Sequence, residues 1–547
     1  MTEPQRPMFS IITPVFDPPV EALRETIQSV RDQRFENWEL ILVDDCSTDP
    51  AILPTLREAA AADSRIRVIA RETNGHISVA SNDGIDAARG EFIALLDHDD
   101  LLTPRALRAN AYAIAAEEDV DYLYSDEEIT FPDGEIIVFK KPDWSPERLR
   151  AQNYCNHLSV YRTTLLREVG GFREGFEGAQ DHDLVLRVSE RARRIVHISK
   201  VLYRWRAVPG STVGDEEAKP YAFSAGQRAV QEHLDRVGIE GRVEFHGPGI
   251  YRIERTLPAE RRVSIIVPTI GSTAMVWGRP TVMVLNALRT ALEHTEHPNV
   301  EVVVVADEPT PPKVLQEIRA IVGDRLVLVY FREKFNYSRK VNFGVLRATG
   351  DRIVILNDDT EVVSDRWLET LLAPLEEESV GMTGAKLSYS SGTLQHAGLA
   401  WSRGYYIHPF REWERDDYGP FGILGINREV SGVTGACVGI RRETFLEVGG
   451  LSEELWNSFN DVDFSYKIEF LGYRTVFVAT CELFHFETMT RKGAVADWEY
   501  RAIRRRWGRP TNDRFTPDFP ELPPTGQERR ARESRDKRRR VRLESAP

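Results

Sequence analysis

The chain has 547 residues, long enough for at least two domains with sizeable cores, and its 41% hydrophobic and 29% charged content is that of an ordinary globular protein. A net charge of −14 argues against a nucleic-acid partner, and no apolar run approaches the roughly 18 residues a membrane span needs. Cys46, Cys155, Cys437 and Cys481 are scattered without a C-x-x-C pair, which argues against a disulfide framework or zinc site. The opening residues, Met1 to Pro7, run straight into a strand with no secretory signal, so the expected compartment is cytoplasmic.

Phe9 to Val15 is a short apolar strand, Leu23 to Val30 has helical spacing, and Trp38 to Val43 is a second buried strand ending in Asp44-Asp45. Arg65 to Ile69 is a third strand. Phe92 to Leu96 is a fourth, ending abruptly in Asp97-His98-Asp99-Asp100. Strands alternating with helices predict an α/β domain with a mostly parallel central sheet flanked by helices. Ligands sit beyond the carboxyl ends of such strands, so Asp45 and Asp97 to Asp99 are expected to face one crevice. Carboxylates packed this tightly repel unless a cation sits among them, and hard oxygen ligands suit Mg²⁺ or Mn²⁺. A solvated turn is the plainer alternative. Gln180 to Leu186 then reads as a helix with Asp181 at its start, and a helix near Tyr221 to Val237 closes the unit.

The whole series repeats. Val263 to Thr269 echoes the first strand, the strand ending at Asp307 echoes the one ending at Asp45, and Ile353 to Leu356 leads into Asn357-Asp358-Asp359. The lead-in Asn82-Asp83-Gly84 returns as Asn342-Phe343-Gly344, and Gln180-Asp181-His182-Asp183 as Asn460-Asp461-Val462-Asp463. Offsets between the copies run from 254 to 280, a period that means duplicated domains. The expected domains are 1–257 and 258–520, with a tail at 521–547. From Glu528 to Glu544 that tail carries eight Arg and one Lys against four acids, a disordered solubilising segment or a candidate peripheral contact with an anionic membrane.

In each copy an S-I-I-x-P opening strand, an acidic end on the next strand, a D-x-D-like motif and an acidic dipeptide opening a helix occur in order. Each half thus resembles a family 2 glycosyltransferase domain of the GT-A fold, a Rossmann-like nucleotide-diphospho-sugar transferase. The pairing is similar to tandem enzymes of bacterial O-antigen, rhamnan and capsule assembly. Phe335 to Ser338, Leu394 to Gly398 and Val433 to Cys437 look characteristic of that group. The resemblance implies Asp99, Asp359 and His485 at the metal and Asp97 near ribose and metal. It also implies Asp45 and Asp307 near the base, with Pro14, Pro268 and Asp358 lining the nucleotide-sugar site.

Asp181 and Asp461 would be the catalytic bases of an inverting transfer, with helix capping as their plainer alternative. Asp183 and Asp463 are candidates to orient the acceptor. The first copy's counterpart of His485 is expected to be Arg204, which leaves its metal use the less certain. The implied activity is transfer from nucleotide-sugar donors to a growing, lipid-linked glycan, by both halves. A single active half joined to a silent carbohydrate-binding or scaffolding module is the alternative. No G-x-G-x-x-G follows the first strand and no G-x-x-x-x-G-K-[ST] loop occurs, which disfavours a nicotinamide dehydrogenase and a P-loop NTPase.

Overall fold

The computed structural model describes residues 6–207, 220–402, 404–487, 495–509 and 512–517. The basic run Arg529 to Arg542 lies outside the described residues. Among those described, no helix is long and apolar enough to cross a membrane.

The opening strand, Phe9–Val15, is apolar on both faces and almost wholly buried, as a central parallel strand must be. It pairs in parallel with Trp38–Asp44 on one side and Phe92–Leu95 on the other. The first sheet runs Ile66–Ala70, Trp38–Asp44, Phe9–Val15, Phe92–Leu95, Ser159–Arg162, Val120–Thr130, Arg194–Arg206, Leu101–Leu102. Ser159–Arg162 is antiparallel to both neighbours, so the sheet is mixed rather than uniformly parallel.

The second sheet repeats that order with Leu326–Phe331, Val300–Asp307, Val263–Thr269, Arg352–Leu356, Cys437–Arg441, Val380–Ser388, Arg474–His485 and Thr360–Val362. Its register is copied too: Ile12 faces Leu95 as Ile266 faces Ile355, and Phe92 faces Arg162 as Arg352 faces Arg441.

The repeated lead-in has a packing cause. A Cβ on Gly84 would stand 2.5 Å from the Ile12 Cγ2, and one on Gly344 would stand 2.6 Å from the Ile266 Cγ2. Each glycine lets its helix lie directly on the opening strand. Two residues earlier, the Asn82 amide donates to the Phe172 carbonyl and accepts from the Phe172 N–H, both at 2.9 Å. Asn342 holds Leu451 by the same two bonds at the same lengths. Both clamps fix the loop that leads into the helix carrying Asp181 or Asp461.

A buried ionic cluster joins the halves. Glu377 accepts from Arg150 at 2.8 and 3.0 Å, from Arg474 at 3.0 Å, and pairs with Arg255 at 2.8 Å. Arg255 reaches back to Glu147 at 2.6 Å. Burial pushes the Glu377 carboxyl upward, but the guanidiniums of Arg150, Arg255 and Arg474 outweigh it and hold the group at about 2. Phe139 stacks on Phe421 at 4.1 Å beside this cluster.

Candidate active sites

In the first half the strand Phe92–Leu95 delivers its acids to a turn, and the turn separates them. Asp100 faces inward, 1% exposed, and accepts from the Tyr203 hydroxyl at 2.7 Å and the Arg206 N–H at 2.8 Å. Its role is to fasten the turn to the strand Arg194–Arg206. Asp97 opens to the crevice. Enclosure by the surrounding protein, then the charges of Asp181 and Asp99, push its carboxyl up to about 8.

The Pro14 carbonyl lies 3.2 Å from His98 Nδ1, which ties the first strand's end to the acidic turn. Asp45 is buried and is held by Arg71 Nε at 2.8 Å and the Gly75 N–H at 2.9 Å.

The second half is built alike with substitutions. Asn357 replaces Asp97 and accepts from the Tyr337 hydroxyl at 2.8 Å. Asp358 stands where His98 does. It accepts from Thr269 Oγ1 at 2.6 Å, next to Pro268, and burial followed by repulsion from Asp359 pushes its carboxyl up to about 7. Asp307 pairs with the buried Lys340 ammonium at 2.8 Å, as Asp45 pairs with Arg71. His485 Nε2 stands 3.2 Å from the Asp359 carboxylate, while its Nδ1 meets Gln395 Oε1 at 2.8 Å. The Gln395 contact fixes the orientation of the imidazole and turns its Nε2 toward Asp359.

Strand register overturns the expected counterpart of His485. Leu101 faces Arg204 and Leu102 faces Tyr203, whereas Glu361 faces Phe484 and Thr360 faces His485. Arg204 therefore matches Phe484, and Trp205 matches His485. Arg204 pairs with Glu128 instead. An imidazole still reaches the first site, from another strand. His157 lies just before Ser159–Arg162, its Nε2 is 3.9 Å from Asp97, and its ring packs edge-to-face on Trp205 at 5.5 Å. The register of the antiparallel strands puts Ala436 at the matching place in the second half. Burial pushes the His157 imidazole down to about 3, so it is neutral and suited to bind a cation.

The helix aspartates sit where the sequence predicts, and capping is not their main work. Asp181 lies in the first turn of Gln180–Ser189, whose N-cap is Ala179. It accepts from Gln180 Nε2 at 2.9 Å and is bonded by Asn156. Burial raises its carboxyl to about 6 against those bonds. Asp461, in the first turn of Asn460–Phe470, accepts from Thr434 Oγ1 at 3.1 Å and the Gly435 N–H at 3.3 Å, besides the Val462 N–H at 2.9 Å. Asn156 and Gly435 occupy matching register positions, so the same loop holds both carboxylates.

Asp183 and Asp463 are not available to an acceptor, contrary to expectation. Both are 0% exposed. Asp183 accepts from Arg187 Nη2 at 2.7 Å and Arg173 Nε at 3.1 Å; Asp463 accepts from Arg506 Nη1 and Trp507 Nε1, each at 2.8 Å. They anchor the helices that carry Asp181 and Asp461.

Among the described residues no three His, Cys, Asp or Glu side chains converge on one point as a closed metal cage. The donors that do approach are a carboxylate and an imidazole in each half.

Each of the two mixed α/β sheets thus places an acidic turn near a helix-borne carboxylate. The chain belongs to the Glycosyl transferase family 2, whose model matches residues 10–170 and 264–449, more than half of the sequence. It is 37% identical over 518 residues to the O-antigen biosynthesis protein RfbC of Myxococcus xanthus, covering 93% of this chain and 40% of that protein. It is 42% identical over 521 residues to the uncharacterized protein y4gI of Sinorhizobium fredii, covering 92% and 56%. The chain thus spans about half, or less, of these relatives' length. Among solved structures, S. aureus TarS 1-349 overlaps 41% of this chain and 65% of its own, at 24% identity and a TM-score of 0.34.

Proposed function

We propose that the chain is an inverting glycosyltransferase with two active centres, each moving a sugar from a nucleotide donor to a growing bacterial surface glycan. The observation that carries this reading is the pairing, in both halves, of a fastened helix aspartate with an acidic strand end across one crevice. The likeness to RfbC over 93% of this chain supports the surface-glycan assignment.

In the second half Asp461 takes the proton of the acceptor hydroxyl. Thr434 and the Gly435 N–H hold its carboxylate in place. The freed oxygen forms a bond to the anomeric carbon as the bond to the leaving phosphate breaks on the opposite face, so the configuration inverts. Asp181 does the same in the first half. Asp45 with Pro14, and Asp307 with Pro268 and Asp358, line the nucleotide-sugar pockets. Asp359 and His485, and in the first half Asp97, Asp99 and His157, would hold Mg²⁺ or Mn²⁺. When bound, that ion neutralises charge growing on the departing diphosphate.

The test is a panel of sugar nucleotides with nucleotide release and product linkage as readouts. Asp181→Asn and Asp461→Asn should each cost about 10²- to 10⁴-fold in one linkage, the contribution of a general base. Equal activity of both variants and the wild type would refute the assignment.

A further inference from the structure

The second half carries an aromatic surface that the reaction scheme leaves unused. Phe335, Trp456 and Trp498 are 53%, 40% and 37% exposed. The Trp456 and Trp498 rings are 6.4 Å apart and only 21° from parallel, and Phe335 stands edge-on to Trp456 at 6.2 Å. Together with Glu333, Lys334, Asn336 and Arg339, Phe335 and Trp456 border an open depression of about 480 Å³. Arg339 and Glu333 pair across its rim at 3.0 Å.

The depression is wired to the second active centre. The Tyr337 N–H donates to the Trp456 carbonyl at 2.9 Å, and the Tyr337 hydroxyl reaches Asn357 at 2.8 Å and lies 3.1 Å from the Gly435 carbonyl. The Gly435 N–H in turn bonds Asp461. One residue, Tyr337, therefore bonds through its backbone to the Trp456 backbone and through its hydroxyl to the loop that holds Asp461. The chain from Trp456 to Asp461 is only five residues long.

We propose that this depression binds the acceptor glycan, taking a sugar unit set back along the chain from the reacting hydroxyl. The proposal rests on the transferase reading above and names where its acceptor lies. A pyranose presents one face of C–H bonds and a belt of hydroxyls. The Trp456 indole and the Phe335 ring, which line the depression, meet the first, because aromatic rings are apolar bodies with an electron-rich face. The charged and amide side chains at the rim meet the second, as the few polar groups of a ligand pocket do. An exposed aromatic patch with such a rim fits a sugar better than an apolar protein surface, which would leave Glu333, Lys334 and Arg339 to be desolvated. In the first half the position matching Phe335 at the 260-residue offset is Gly75, which has no ring to offer.

The experiment uses the full chain on an array of bacterial surface-polysaccharide fragments three to six sugars long, beside the transfer assay. Trp456→Ala should lower binding to the recognised fragments at least tenfold, and should raise the acceptor KM of the second-half linkage by a similar factor. Donor KM and slow donor hydrolysis without acceptor should stay unchanged. Trp456→Phe and Phe335→Ala should fall between, and an unchanged melting temperature in Trp456→Phe separates contact from folding. Unchanged binding in Trp456→Ala, or no fragment bound by the wild type, overturns the proposal. Binding of the array without any nucleotide release from the sugar-nucleotide panel would instead refute the transferase reading and leave the glycan site standing.

Discussion

The two candidate sites share a backbone and differ in how an imidazole reaches the acidic strand end. In the second half His485 comes from the long strand Arg474–His485 and is oriented by Gln395. In the first half that strand position holds Trp205, whose indole has only an N–H donor and no lone pair to give a metal. His157, from the loop before a neighbouring strand, approaches Asp97 instead, and Ala436 stands at its place in the second half. The swap is reciprocal. Each half has an imidazole beside a carboxylate of its acidic turn, but the strands that supply it and the carboxylates it meets differ: Asp359 in one half, and in the other Asp97, whose counterpart is Asn357.

Three perturbations sharpen this comparison. The largest effect is expected where the halves meet. Glu377→Gln leaves Arg150, Arg255 and Arg474 facing one another with one carboxylate fewer, and should lower unfolding free energy by about 3 kcal/mol in urea titration. Since the folded Glu377 titrates near 2, below its unfolded value, its contribution is present above the unfolded value and lost only as pH falls through about 2. The wild-type to variant difference should therefore be flat from pH 6 to pH 8. Two independent unfolding transitions in the wild type, with only one shifted, would mean the halves are not coupled through this cluster.

Next comes the second-half imidazole. Gln395→Leu should weaken Mn²⁺ binding, read by electron paramagnetic resonance with a nucleoside diphosphate present, by about 10- to 100-fold, the usual cost of losing the partner that orients a ligating histidine. The same signal should lose its first-half component in His157→Ala and be indifferent to Arg204→Ala. A response to Arg204→Ala but not to His157→Ala would reverse the assignment made from strand register.

The smallest effect separates the two bases by pH. Burial holds the Asp181 carboxyl at about 6, above its ordinary value, and only its deprotonated form accepts a proton. First-half transfer, followed as kcat/KM for acceptor, should fall about tenfold per unit below pH 6 and be level above it. A first-half profile still level at pH 5 would show that Asp181 does not titrate as the base.

The duplication itself was legible in the sequence, because paired strands and their acidic ends recur in order and the sheet order follows from them. The meaning of the repeats was only partly legible. Gly84 and Gly344 recur because a helix lies on the opening strand, and Asn82 and Asn342 because they clamp a loop 90 and 109 residues away. Asp183 and Asp463 recur as anchors: each pairs with the cation four residues on, Arg187 or Lys467, and only the further partners differ, Arg173 in one half and Arg506 with the Trp507 N–H in the other.

The Arg204 expectation failed by one residue. In a strand one residue exchanges the two faces, and only the hydrogen-bond register reveals it. The signal was present in the alternation of Tyr203-Arg204-Trp205, where the exposed Arg and its flanking aromatics mark opposite faces. The aromatic floor at Trp456 and the cluster around Glu377 bring together residues far apart in sequence, such as Ser145 and Glu429, and no local pattern announces them.

The central claim, two working centres in one chain, is tested most directly by linkage analysis of the product. Wild type, Asp181→Asn and Asp461→Asn would be run on the same acceptor and sugar nucleotides, and the product linkages assigned by nuclear magnetic resonance. The account predicts two linkages from the wild type and the loss of a different one in each variant, with both proteins still binding Mn²⁺ and nucleotide. If Asp461→Asn abolishes every linkage while Asp181→Asn changes none, the first half is not a catalyst and the account is wrong.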